Sequence, residues 1–386
     1  MPRAGFLCLF TLALSSGTAC AGSIENLASA TVERHVTSNA LDNPDGVSDS
    51  YTVLHGSFAH VKQHAGGHVG AAAEFRHSLY DAASIENDLA LTLGMEAQQQ
   101  VGERFQLRGT LSYHLAKEGD DLSVGPLVIG TETVKHIVGA GVELGADLGS
   151  GTALAVGLEG SIEKAGRTKF EGDLIEPTKL EPDKQSFRLS ANLVKSFGDT
   201  RASALLAWRH VAVELIGDPP SRLPFDEATA GVELQHAFKS GGTVAAMVGV
   251  QVLRSIGEFT FVRPTYKVTV AQPLFDRFEI RGAVAAAFET ADTDDPLASW
   301  LQRIEVETRF AATERLIIAA GAFLESRNNL LLENREQAKG LFAEAILALT
   351  PALSLVVRVD AERSYQTIID VNQESLDAYV GLRANI

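Results

Sequence analysis

In "WLQRIEVETRF" charged side chains recur at alternate positions: Arg303, Glu305, Glu307 and Arg309. The same habit returns at Glu279 and Arg281, and again at Arg358, Asp360 and Glu362. Proton transfer or nucleophilic attack needs a base, a nucleophile and an orienting acid converging on one point. Fixed charges of both signs repeated at a period of two instead make a wetted wall. The histidines offer other chemistry. Six of the ten lie early, at His35, His55, His60, His64, His68 and His77. On a helix His60, His64 and His68 would align to hold a metal, but "QHAGGH" reads as a turn between strands, where the rings diverge. His114 beside Ser112, and His210 beside Arg209, come nearest to a hydrolase pair. Neither has the third group at a recognisable spacing, and Ser112 with His114 also reads as a polar row. The sequence therefore predicts no catalytic residue, no metal and no cofactor.

Elements of a particular length must carry these charges. In "RFEIRGAVAAAFET", Phe278, Ile280, Gly282, Val284, Ala286 and Phe288 share one face of an extended chain, while Glu279, Arg281, Ala283, Ala285, Ala287 and Glu289 share the other. The ten steps cover about 33 Å, and a tilt of about 40° reduces the vertical span to about 25 Å, the height of an outer-membrane apolar band. Similar alternation sets Phe105, Leu107, Leu111 and Tyr113 against Gln106, Arg108, Thr110, Ser112 and His114. It also sets Leu353, Leu355, Val357 and Val359 against Arg358, Asp360 and Glu362, and Trp300, Ile304, Val306 and Phe310 against Arg303, Glu305, Glu307 and Arg309. Residues 201–213 and 316–325 show no assignable faces, and "GLFAEAILALT" reads as helix by propensity.

The chain has 386 residues and a net charge of −16, a balance that argues against a nucleic-acid partner. Residues 1–21 read as a signal peptide: Arg3 in a basic head, an apolar run from Phe6 to Leu14, then small residues at Ala19 and Ala21. Both cysteines, Cys8 and Cys20, lie in or beside that leader, so the body at 22–386 has no thiol chemistry. No later apolar run reaches the roughly 18 residues of a membrane helix, so a membrane form must be a closed sheet.

Two-faced segments recur along the whole chain, joined alternately by short turns such as "LGSG", "FGDT" and "KSGG" and by long polar connections around 39–49, 78–87, 115–134, 164–184, 214–226, 255–264, 290–299, 326–336 and 364–374. The predicted fold is all-β, a transmembrane antiparallel β-barrel of about 18 strands with 16 possible, its short turns periplasmic and its long loops external. Two loops invite further readings. "TADTDDP" gathers Asp292, Asp294 and Asp295, which could hold Ca²⁺ against lipopolysaccharide phosphates or simply be solvated. The third external connection carries Leu127, Val128 and Ile129 in polar company, so it either folds inward, bringing Glu118, Asp120 and Asp121 to a pore constriction, or forms an apolar lid.

The first hairpin, "ATVERHVTSNALDNPDGVSDSYTVLHGSF", with the turns "VGERF", "LFDRF" and "ATERL", resembles the outer-membrane β-barrel porin family of proteobacteria. The alternating final segment "SLDAYVGLRANI" suits such a barrel, though it ends in Ile386 where that signal usually has Phe or Trp. The resemblance implies an outer-membrane channel and supplies no catalytic residues. The expected function is passive passage of small hydrophilic solutes with weak cation preference. Its lumen would be lined by Arg281, Arg303, Glu305, Glu307, Arg309, Arg358 and Asp360, and its surroundings would be outer-membrane lipid and lipopolysaccharide. The alternative is a barrel serving exopolysaccharide export or surface attachment, with polysaccharide as partner.

Overall fold

A computed structural model describes residues 23–40, 46–124, 127–171, 175–255, 259–290, 295–367 and 371–385; at 120–124, 127, 128 and 371 the description is of the backbone alone. The predicted leader lies outside these residues.

The strands are β1 (Ile24–Thr37), β2 (Asp49–His64), β3 (Gly67–Tyr80), β4 (Leu89–Val101), β5 (Phe105–Val124), β6 (Leu127–Gly149), β7 (Thr152–Ala165), β8 (Lys169–Phe170), β9 (Lys184–Phe197), β10 (Thr200–Val213), β11 (Phe225–Ala237), β12 (Thr243–Ser255), β13 (Thr260–Phe275), β14 (Phe278–Glu289), β15 (Ser299–Ala311), β16 (Leu316–Asn329), β17 (Arg335–Thr350), β18 (Leu353–Gln366) and β19 (Val371–Asn385). Each long strand pairs antiparallel with its chain neighbours, and β1 closes on β19 from Ser29↔Asn385 to Thr37↔Asp377. The result is a closed barrel of 18 strands, with β8 as a two-residue stub on β6. Closure removes the edge that hydrocarbon would not tolerate.

The turns fit their residues. "LGSG" bends through Gly149 (φ 82°), Ser150 (φ 52°) and Gly151 (φ 72°), a left-handed run that glycine makes cheap. "GLFAEAILALT" is strand, not helix, because β16 pairs with residues 335–347 and β18 with residues 336–350, and tertiary pairing outweighs propensity. The register also resolves the faces of residues 316–325. Phe323 stands opposite Gly340 and Phe342 opposite Gly321 on the charged face. A Cβ at Gly321 or Gly340 would meet the opposing ring at 2.4 or 2.3 Å, so each ring occupies the space its glycine partner leaves.

One expectation is corrected here. Residues 115–124 and 127–134 do not form a loop; β5 and β6 run on as a ladder from Lys117↔Val134 to Val124↔Leu127. The apolar residues Leu127, Val128 and Ile129 are strand residues, opposite Val124, Ser123 and Leu122.

Candidate channel lumen and its extracellular mouth

A closed sheet in a bilayer turns its apolar rows to lipid, so the charged rows face inward. Register brings the sequence-chosen charges together on that inner face: Glu279↔Arg309, Arg281↔Glu307, Ala283↔Glu305 and Ala285↔Arg303 run across β14 and β15. They neutralise one another locally. Arg281 Nε lies 2.9 Å from Glu279, Arg303 Nε 3.0 Å from Glu305, Arg309 Nε 2.5 Å from Glu307, and Arg358 Nη2 2.7 Å from Asp360. Arg303 also reaches Glu325 at 3.1 Å and Arg358 reaches Glu344 at 3.8 Å, while their guanidinium planes cover Phe323 and Phe342 at 4.6 and 4.4 Å. The inward aromatic rings are thus capped by cations.

Glu118 also registers on the inner face, where Lys135 Nζ holds it at 2.6 Å and takes Glu181 at 2.8 Å. Asp120 and Asp121 continue strand β5 opposite Thr131 and Gly130. The segment after β7 is anchored alongside. Asp183 accepts from Lys164 (2.5 Å), Lys179 (2.9 Å) and the Ala165 N–H (3.1 Å), and the two ammonium groups hold its carboxyl down at about 2.

Two histidine readings have outcomes. His60 meets Asn26 (2.8 Å), His64 the Ala65 carbonyl (3.3 Å) and His68 Glu96 (3.1 Å), so the three rings diverge, and no metal-competent cluster occurs among the described residues. His114 bonds Thr92 at 2.9 Å and not Ser112.

Sequence reasoning missed an inner row of rings. Tyr379, His35, Tyr51 and Tyr80 stand directly opposite one another across β19, β1, β2 and β3, with successive centroids 4.5, 4.4 and 4.5 Å apart. Asp377 accepts from the Tyr51 hydroxyl (2.8 Å) and meets His35 Nδ1 (2.9 Å), while Glu33 meets Nε2 (3.1 Å). Two of these residues lie more than 300 positions from their partners, so only closure of the barrel reveals the row.

The mouth holds the main departure from the expected pattern. The β13–β14 ladder stops at Tyr266↔Ala286, yet β13 continues on β12 to Thr260 and β14 continues on β15 to Glu289. Above that point side chains replace backbone. Thr265 Oγ1 donates to the Ala286 carbonyl (2.8 Å), and the Phe288 N–H donates to Gln251 Oε1 (3.0 Å). Gln251 points inward from β12, so the upper end of β14 passes on the lumen side of β13. Its lipid-side residues then meet an inner face: Ala286, Phe288 and Trp300 join Val211, Phe225, Leu253, Leu297 and Ala298 in one buried cluster. This corrects the placement of Phe288 and Trp300 against lipid; each is 8% exposed because the wall overlaps itself. It also explains the missing alternation in 201–213, since Val211 and Val213 face inward but are covered.

Asp295 fixes the overlap. Fully buried, it accepts the N–H groups of Leu297 (2.9 Å) and Ala298 (3.1 Å) on Oδ1 and those of Leu331 (2.6 Å) and Leu332 (2.9 Å) on Oδ2. Arg222 donates to its carbonyl at 2.7 Å, and the Leu223 N–H to the Pro296 carbonyl at 2.8 Å, tying three external connections together. Asp295 is neither solvated nor a free Ca²⁺ ligand; Asp292 and Asp294 lie outside the described residues. Beneath the cluster Arg209 binds Glu227 (2.5 Å) and Thr290 (2.8 Å), and Gln251 donates to Glu227 (3.1 Å).

No family model matches the chain, and no curated protein matches it in sequence. Among solved structures it is similar to the copper transporter OprC, with a TM-score of 0.57 at 10% identity over 95% of this chain and 81% of that one. It is also similar to the outer membrane protein opdK from Pseudomonas aeruginosa, with a TM-score of 0.50 at 10% identity over 94% and 99%. A third is the FrpB iron transporter from Neisseria meningitidis, with a TM-score of 0.52 at 9% identity over 90% of this chain and 64% of that one. At such identities the likeness is one of fold: a closed antiparallel barrel of 18 strands, the architecture of those transport and outer-membrane proteins.

Proposed function

We propose that the barrel is a channel for passive passage of small hydrophilic solutes, weakly preferring cations. The observation that carries this reading is the continuous charged and polar inner face of a closed sheet of 18 strands, a size at which side chains no longer fill the centre. On that face Glu74, Glu96, Glu143, Glu159, Glu233, Glu279, Glu305, Glu307, Asp360 and Glu362 outnumber Arg76, Arg108, Arg188, Arg281, Arg303, Arg309 and Arg358. The register adds Glu33, Glu163, Glu227, Glu289, Glu325, Glu336, Glu344 and Asp377 against Lys184, Arg201, Arg209, Arg263, Lys267, Arg327 and Arg383. Acidic walls concentrate cations, and close pairing keeps the preference small. Of the three mouth acids, Glu118 is offset by Lys135 and Asp121 falls on the outward register with Lys117, which leaves Asp120 as the proposed addition to the field there. The overlapped wall of β14 and β15 narrows the same mouth with apolar groups.

Vesicle swelling tests this reading. Purified barrel in lipid vesicles should admit neutral monosaccharides quickly and longer oligosaccharides progressively more slowly. Vesicles that stay as tight as protein-free ones to every sugar would overturn passive passage and favour the export or attachment role.

A further inference from the structure

We propose that Lys339 and Arg363, with Arg335 above them, bind the phosphate groups of a phosphorylated glycolipid in the outer leaflet. All three are exposed and lie on the lipid-side register of β17 and β18, the face opposite Glu336, Gly340 and Glu362. Lys339 stands directly across the ladder from Arg363, which stands across from Glu374. One step toward the membrane the corresponding row is Leu341, Ala361 and Leu376, with Leu341 65% and Leu376 51% exposed. The cations therefore sit immediately above the apolar band, at the level of lipid headgroups.

Two like charges directly opposite one another on a sheet repel, and their neighbours here answer only part of that. Arg363 Nε lies 3.4 Å from Glu374 Oε1 and donates from Nη2 to Asn372 Oδ1 at 3.2 Å, but both ends of the ion pair are well exposed, at 50% and 71%. Arg335 Nε donates to the Ser326 hydroxyl at 3.3 Å, and Lys339 has no ion pair among the described residues. A phosphate between the Lys339 and Arg363 side chains relieves the repulsion and fills the guanidinium fork. Arg335, four residues and about 13 Å along the tilted strand, hence about 10 Å higher, meets a second anionic group of the same headgroup. Such a patch runs against the acidic balance of the chain, whose net charge is −16. The other outward strand lysines at the external end do not repeat it: Lys169 and Lys117 share Glu132 at 3.2 and 2.6 Å, and Lys164 is held by Asp183.

The test is native mass spectrometry of the whole barrel titrated with diphosphorylated lipid A, its dephosphorylated counterpart, or lipid A in the presence of inorganic phosphate. Wild-type protein should retain the diphosphorylated form. The double variant Lys339→Gln with Arg363→Gln should bind it about tenfold more weakly while keeping its gel shift on boiling. Lys164→Gln with Lys169→Gln should bind as wild type. Equal retention by the Lys339/Arg363 variant, equal binding of the dephosphorylated lipid, or an equal loss in the Lys164/Lys169 variant overturns the site. Displacement by millimolar inorganic phosphate overturns the lipid assignment in favour of a free anion.

Discussion

Replacing Asp295 with alanine should release the overlapped mouth while leaving the barrel below it intact. Asp295 is 0% exposed and accepts four backbone N–H groups, two from Leu297 and Ala298 and two from Leu331 and Leu332, the latter pair beginning 36 positions beyond it in sequence. Water cannot substitute without opening the cluster formed by Leu253, Leu297 and Trp300. Stranded buried donors cost about 1 to 3 kcal/mol each before relaxation, so a local loss of about 4 kcal/mol is a conservative figure. By the conversion of 1.4 kcal/mol per tenfold, amide exchange at Leu297, Ala298, Leu331 and Leu332 should quicken by about 10³. Asp295→Asn should recover only part, since one of its two polar ends donates instead of accepting. Asp276→Ala, in an exposed periplasmic turn, is the control and should change nothing. Exchange at those four amides unchanged from wild type would mean that the carboxylate does not hold the overlap.

The second large effect is on assembly. Val284 lies mid-strand, opposite Val268 and Ile304 on the lipid face, so Val284→Arg buries a cation in hydrocarbon at about 2 to 4 kcal/mol. Its neighbour Ala285 faces inward between Lys267 and Arg303. The sequence pattern alone predicts that arginine is tolerated at Ala285, but the register would make it the third cation in a row. Ala285→Glu is the better comparator, and it should assemble as well as wild type. The yield of heat-modifiable barrel after folding into vesicles measures both. Equal yields for Val284→Arg and Ala285→Glu would show that the faces are assigned wrongly.

The alternation at 278–288 was legible because each strand meets only two environments, lipid and water, and a period of two sorts them. It gave the barrel and the strand count. Legibility failed where a third environment appears. Phe288 and Trp300 keep the lipid pattern but are covered by their own wall, and Val211 and Val213 face inward but are dry. No local period encodes an overlap between β14 and β12. The Tyr379–His35–Tyr51–Tyr80 row was hidden for a different reason: its members meet only when the two ends of the chain pair. Residues 115–134 misled because charge and glycine usually end a strand, whereas β5 and β6 run on together above the membrane, where polar residues on both faces cost nothing.

The central claim is a water-filled lumen whose fixed charge is slightly acidic. The most direct measurement is the reversal potential of single channels in a planar bilayer under a KCl gradient. The expected result is a discrete conductance with a small cation-selective potential, fading as salt rises and the Debye length falls to about 3 Å at 1 M. An anion-selective potential would contradict the assignment of the inner face, and absence of any conductance would contradict the channel itself.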